Sequence, residues 1–246
     1  MKLSDPFTRD FLKRQRLLVV SPHADDETAG AGGLMARAKA AGGKVYVMVV
    51  SVGDLDHFDP RQGKEKVKGG ERARELAAAM KVLGVDDVEI LFESNEIHLR
   101  LDTMPRRDLV NWIERKGRLA TEKVRPTMIV LPAPSFNQDH EAVYRAGITV
   151  CRPHLASMKS FQNFVLVADA PQLSWSGASH FRPNFYVDIT GRPLALKLKA
   201  YACHRSQVRP SPHQAGVDAL RLLAQTRGRE ISVRAAEAYE CLRFVL

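Results

Sequence analysis

The sequence predicts an α/β fold, a mostly parallel sheet with helices on both faces. Three observations carry this. Short aliphatic runs alternate with segments of helical composition from Arg16 to Cys151, the rhythm of β-α-β units. The two segments richest in polar groups, residues 21–27 and 132–140, each follow directly on such a run. That placement puts both at the carboxyl edge of a parallel sheet. The chain has 246 residues, 45% hydrophobic and 26% charged, enough for one sizeable core. With no repeat, low-complexity tract or long linker, residues 1–246 read as a single domain.

Taken in order, residues 16–20 read as a short buried strand and residues 30–41 as a helix. Residues 44–51 are valine-rich, follow Gly42 and Gly43, and read as a second strand. Residues 70–83 place Leu76, Ala79, Met80 and Leu83 on one helical face, and Gly84 follows as a stop. Residues 88–92 read as a strand, 106–123 as a helix, 127–131 as a strand and 140–151 as a helix. Beyond residue 155 the rhythm changes. Residues 163–168 and 185–189 read as strands, and 171–183, with Trp175, as an irregular loop. Residues 194–204 and 217–225 read as helices, and 235–241 as a final helical turn.

Bulk properties exclude several classes. No window approaches the ~20 apolar residues of a membrane span. The polar first residues lack the apolar centre of a signal peptide, so a cytoplasmic location is expected. Cys151, Cys203 and Cys241 are widely spaced and odd in number, which argues against a zinc ribbon, a redox pair or a disulfide framework. The net charge of +9 is spread without aromatic interleaving, so no nucleic acid is expected as partner. The same balance favours an anionic small-molecule substrate. A homo-oligomer is compatible with the sequence.

Chemistry concentrates in Pro22-His23-Ala24-Asp25-Asp26-Glu27, where one imidazole and three carboxylates fall within five residues of a strand end. His23 and Asp26 on a tight loop can converge on one ion. Zinc accepts both donor types and at catalytic sites keeps a position open for water. Asp25 then stays unligated and suits a general base. Two other readings stay open. The acids can crowd a helix N-terminus for its dipole, or hold Mg²⁺ alone. A dinucleotide loop is absent, because Met35 stands at the third glycine position after Gly30 and Gly32.

A third ligand is on offer in Asn137-Gln138-Asp139-His140. His140 starts a helix on the same sheet edge. Asp139 either orients a ligand, as metal-bound imidazoles require, or caps the helix. Asp56, His57 and Asp59 also have ligand-like spacing, but a flexible capping loop over residues 54–69 is the preferred reading there, and one ion is expected.

The pieces Pro22-His23-Ala24-Asp25-Asp26-Glu27, Gly32-Gly33 and Asp139-His140 closely resemble the PIG-L/LmbE-like family of zinc-dependent N-deacetylases. Weaker matches are Arg72-Ala73-Arg74-Glu75-Leu76, running on to Leu83-Gly84, and His204-Arg205-Ser206-Gln207, so the resemblance extends from about Val19 to Gln207. It implies a Rossmann-like fold and hydrolysis of N-acetyl groups on amino sugars or their conjugates. It implies one Zn²⁺ held by His23, Asp26 and His140, with Asp25 as general base. Arg72 matches an arginine that contacts substrate in relatives, the alternative being a surface helix charge. His204 is implied to be structural or to support the ligands from outside, and Glu27 to orient the helix start. Trp175 is a candidate to stack on a sugar ring, or else a loop anchor.

The chain departs from the family at Asn137, where the motif is commonly H-x-D-H. Asparagine can donate a hydrogen bond to an oxyanion but delivers no proton at neutral pH. Either Asp25 serves as both base and acid, or another group protonates the leaving amine. Two further functions compete: a metal-dependent hydrolase of another amide or ester bond, and a non-catalytic sugar- or nucleotide-binding relative.

Overall fold

The computed structural model describes residues 6–59, 63–175 and 181–246, without the side chains of residues 57–59, 63–65 and 174–175. A short helix α1 (Pro6–Lys13) precedes β1 (Arg16–Ser21), α2 (Asp26–Ala41) and β2 (Lys44–Val52). A hairpin of β3 (Leu55–Asp59) and β4 (Gly63–Val67) leads to α3 (Gly69–Leu83) and β5 (Asp87–Glu93). There follow α4 (Arg106–Asn111), α5 (Thr121–Val124), β6 (Met128–Pro132), α6 (Gln138–Val150) and β7 (Phe164–Ala168). The chain ends with β8 (Phe185–Asp188), α7 (Arg192–Tyr201), α8 (Val217–Glu230) and β9 (Ala236–Phe244).

Seven strands form the central sheet in the order β5-β2-β1-β6-β7-β9-β8. The first five are parallel to one another, and β9 runs antiparallel to both β7 and β8. The predicted mostly parallel α/β sheet is therefore present. Leu17 and Val19 of β1 pack into one core with Leu34 and Met80, while Leu18 and Val20 pack into the other with Ile113 and Leu131. Burial on both faces is why such strands read as continuous apolar runs. From β1 the chain moves outward to β2 and β5, then returns to β6 on the other side. This reversal opens a crevice at the carboxyl ends of β1 and β6.

The predicted face of α3 holds, with Leu76, Ala79, Met80 and Leu83 all buried, and Gly84 caps it at φ 70°. Other segments depart from the sequence prediction. Residues 235–241 are not a helical turn but part of β9. Their alanine and glutamate favour helix, yet the slot between β7 and β8 supplies ladder partners on both sides. Residues 106–123 are not one helix. The helix passes through a π turn at Trp112–Lys116 and ends at Gly117, where the amides of Arg118 and Leu119 donate to the Glu89 carboxylate at 2.7 and 2.6 Å. Residues 54–69 contain the β3–β4 hairpin in place of a loop. The helix expected at 217–225 runs on to Glu230. Within the loop expected at 171–183, Pro171–Trp175 forms a 3₁₀ turn.

Glu237 ties β9 to α2. Its Oε1 accepts from the Gly33 amide and from Lys197 Nζ, both at 2.7 Å. Its Oε2 accepts from the Leu34 amide and the Tyr239 hydroxyl, again at 2.7 Å. Gly33 is required here, since a Cβ would lie 2.5 Å from Ile189 Cγ2. Glu237→Ala would leave the buried Lys197 charge uncompensated, at a cost of about 3–5 kcal/mol. Urea denaturation reads this loss, and a midpoint equal to that of the unmodified protein would refute it.

Candidate active site

The crevice is a cleft of about 240 Å³ whose walls include His23, Asp25, Asp26, Arg72, Asn137 and His140. β1 and α2 deliver the first three. Between them the chain turns sharply, and Asp25 adopts φ 126°, a region that residues with a Cβ rarely enter. Glu27 holds this turn: its Oε2 accepts the Asp25 amide at 2.9 Å. Its Oε1 accepts from Thr28 Oγ1 at 2.6 Å and lies 3.2 Å from His204 Nε2. β6 and α6 deliver Asn137 and His140 from the other side of the crevice.

His23 Nδ1 and His140 Nε2 lie 3.4 and 3.3 Å from the same Asp26 oxygen. One donor atom from each of the three residues lies within 4.8 Å of the others. The other His23 nitrogen, Nε2, is 2.8 Å from Asp139 Oδ2, and Asp139 Oδ1 accepts the Leu101 amide at 2.9 Å. Asp139 is completely buried and does not cap α6. The cap is Asn137, whose Oδ1 accepts the Asp139 amide at 2.9 Å. With that oxygen engaged, Asn137 has its side-chain NH₂ to offer the cleft.

The two adjacent aspartates differ in their surroundings. Burial opposes the charge of Asp26, but the charge and hydrogen bond of His140, with help from His23, hold its carboxyl far below the usual range. Asp25 has no such partner. Burial and then the neighbouring Asp26 charge push it up to about 7, against the pull of His204 and Arg72. Burial disfavours the charge of His23, yet hydrogen bonds to Asp139 and Asp26 outweigh it and raise the imidazole to about 9. Burial likewise disfavours the charged forms of Glu27 and His204, but their attraction lowers the first and raises the second. Adjacent acids shifted in opposite directions in a cleft mark a site where a proton can change hands.

Arg72 is not a surface charge, being only 3% exposed on the cleft wall. Next to it in α3, Glu75 accepts from the Ser206 amide at 2.9 Å and the Ser206 hydroxyl at 2.6 Å. Two weak sequence motifs thus meet in space. The side chains of Trp175, His57 and Asp59 lie outside the described residues, so the stacking and second-ion expectations fall there too. Asp56 is exposed. Two cleft residues escaped the sequence reading. His98, buried, stands edge-on to His23 with ring centroids 5.1 Å apart, and no motif marks it. Phe136 is 52% exposed at the cleft directly before Asn137. Its signal was an aromatic in a strand-end loop.

Fold and site together define a Rossmann-like α/β protein with a His/Asp/His cluster at the strand-order reversal. The family model PIG-L, described as GlcNAc-PI de-N-acetylase, matches residues 18–151, and the chain belongs to this family. The diacetylchitobiose deacetylase of Thermococcus kodakarensis is 24% identical over 99% of this chain and 86% of its own length. The solved structure of N,N'-diacetylchitobiose deacetylase from Pyrococcus horikoshii has a TM-score of 0.67 at 23% identity, covering 98% of this chain and 87% of that one. A conserved protein from Thermus thermophilus reaches a TM-score of 0.70 at 24% identity, covering 94% and 96%. Among the described residues no helix is long and apolar enough to cross a membrane.

The β3–β4 hairpin reaches the cleft through Leu55, and Asp54 ties down its base. The Gly69 amide donates to Asp54 Oδ1 at 3.0 Å and Lys68 Nζ to Oδ2 at 3.1 Å. These bonds, the amide first, hold Asp54 down at about 2 against an ordinary 3.8. A carboxyl depressed on folding stabilises above its unfolded pKa and loses that contribution as pH falls through the folded value. Gly69 amide protection should therefore weaken between about pH 4 and pH 2. In Asp54→Asn this pH dependence should vanish. Hydrogen exchange corrected for its intrinsic rate measures both, and identical profiles would sink the assignment.

Proposed function

We propose that the protein hydrolyses the acetamide of an N-acetyl amino sugar or sugar conjugate, releasing acetate and a free amine. One observation carries this: a half-buried Asp25 carboxyl, with no hydrogen-bond donor among the described residues, stands in the same cleft as the converging donors of His23, Asp26 and His140. Residues 1–246 act as one catalytic domain.

The donor set fits a single zinc ion held by His23, Asp26 and His140. Two imidazoles and one carboxylate are zinc ligands by type. Asp139 engages His23 Nε2, which leaves Nδ1 for a metal and raises the basicity of the ring. When bound, the ion supplies Lewis acidity that lowers the pKa of water and polarises a carbonyl. Asp25 accepts the proton of the attacking water. Asp25, whose carboxyl burial pushes up and no donor among the described residues ties down, can return the proton it has taken, so it also protonates the departing amine. In this reading Asp25 takes over the proton delivery of the missing motif histidine. Asn137, anchored by its cap bond, donates its NH₂ to the developing oxyanion. Glu27 holds the Asp25 backbone, and His204 braces Glu27. Arg72 contacts the sugar. The amides of Gln172, Gln207 and Gln214 on the cleft wall suit sugar hydroxyls.

Acetate release from a panel of N-acetyl sugars, free and lipid- or nucleotide-linked, together with metal analysis, tests this function. Acetate and about one zinc per chain are expected, and neither would be seen if the protein only binds its ligand. Asp25→Asn should keep its zinc and lose about 10²- to 10⁴-fold in kcat. Near-normal turnover in that variant would remove Asp25 from its role.

A further inference from the structure

Arg72 is held in an unusual way for a buried cation. Among the described residues no carboxylate lies within ion-pair distance of it, and its Nε has no hydrogen-bond partner. Nη1 donates instead to neutral acceptors: His98 Nε2 at 2.6 Å and the Gly53 carbonyl at 3.4 Å. On its far side His98 Nδ1 lies 3.2 Å from Ser51 Oγ, and Ser51 Oγ donates to the Pro22 carbonyl at 3.5 Å. Ser51, His98 and Arg72 are all buried.

The donor and acceptor states in this chain leave one solution. A guanidinium only donates, so His98 Nε2 carries a lone pair. The ring is then neutral with its proton on Nδ1, donated to Ser51 Oγ, and the Ser51 hydrogen goes to Pro22. Each bond fixes the next, from the loop that carries His23 to the guanidinium on the cleft wall. Pairing Arg72 with an acid would hold it equally well but would cancel its charge. A neutral imidazole holds the guanidinium on the cleft wall without adding another negative charge to those of Asp25 and Asp26 nearby.

We propose that Ser51 and His98 are positioning residues that lock the Arg72 guanidinium in the cleft, for use on the substrate of the deacetylation proposed above. His98 does this as the Nδ1–H tautomer. Nothing in the arrangement requires His98 to touch substrate.

Two measurements test this in the full-length, zinc-loaded protein. The first is independent of activity: ¹⁵N NMR of the His98 ring should show protonated Nδ1 and unprotonated Nε2. An Nε2–H ring would overturn the proposal. Should no deacetylation be found, this measurement still decides the geometry, so the two proposals fail separately. The second is kinetic. His98→Leu should lower kcat/KM by about 10- to 100-fold, the scale of a lost hydrogen bond to a charged group, with zinc content unchanged. His98→Gln, whose amide oxygen can accept from Arg72, should recover most of that loss. In an Arg72→Ala background His98→Leu should do nothing more. Additive losses, or no rescue by glutamine, would reduce His98 to a packing residue. If His98→Leu fails to fold, Ser51→Ala carries the same cycle with Arg72 at a smaller loss.

Discussion

The whole site depends on a set of carboxylates, two buried and two half-buried, gathered at one edge of the sheet with too little permanent positive charge among them. Asp25 and Asp26 line the crevice, Glu27 and Asp139 are buried beside them, and Arg72 is the nearby guanidinium. Burying such groups is costly unless each is paired or hydrogen-bonded. The surrounding structure meets that need group by group. Asp139 is satisfied by His23 and the Leu101 amide, Glu27 by Thr28, His204 and the Asp25 amide, and Asp26 by two imidazoles. A divalent ion suits the donors of His23, Asp26 and His140 because it supplies the charge they lack. Asp25 is the one acid left without a donor of its own, and this is what frees it for proton transfer.

The same logic accounts for the backbone. Asp25 can occupy its rare φ because Glu27 captures its amide and the helix begins immediately after it. The order of the sheet strands makes the space. The connections that leave β1 and β6 run to opposite sides of the sheet, so loops from two distant parts of the chain meet at the cleft. Glu237, deep under α2, holds the helix that bears Asp26 and Glu27 against the far side of the sheet. The precision of the site thus rests on a buried carboxylate that never reaches it.

Much of this was legible in the chain. The parallel strands announce themselves because burial on both faces demands unbroken aliphatic runs, and α3 because its buried positions recur at helical spacing. His23, Asp25 and Asp26 were legible because they are dense and local. The β9 strand was not, because Ala236, Glu237 and Ala238 have helical composition and only their neighbours β7 and β8 make them extended. His98 was not, because one histidine in a loop has no pattern around it. Its role exists only where Ser51 and Arg72 arrive from other elements.

The sequence by itself determined the α/β class, the edge of the sheet that carries chemistry, and the family. These follow from periodicity and from motifs read within a few residues. Only the tertiary structure decided that Asp139 serves His23 while Asn137 caps α6, that Arg72 is buried against a neutral imidazole, and that Glu75 holds Ser206. The physical reason is range. Helix and strand periods act over a few neighbouring residues. The pairing of a buried polar group is settled by whichever donor or acceptor the fold brings within about 3 Å, however far away it lies in the chain.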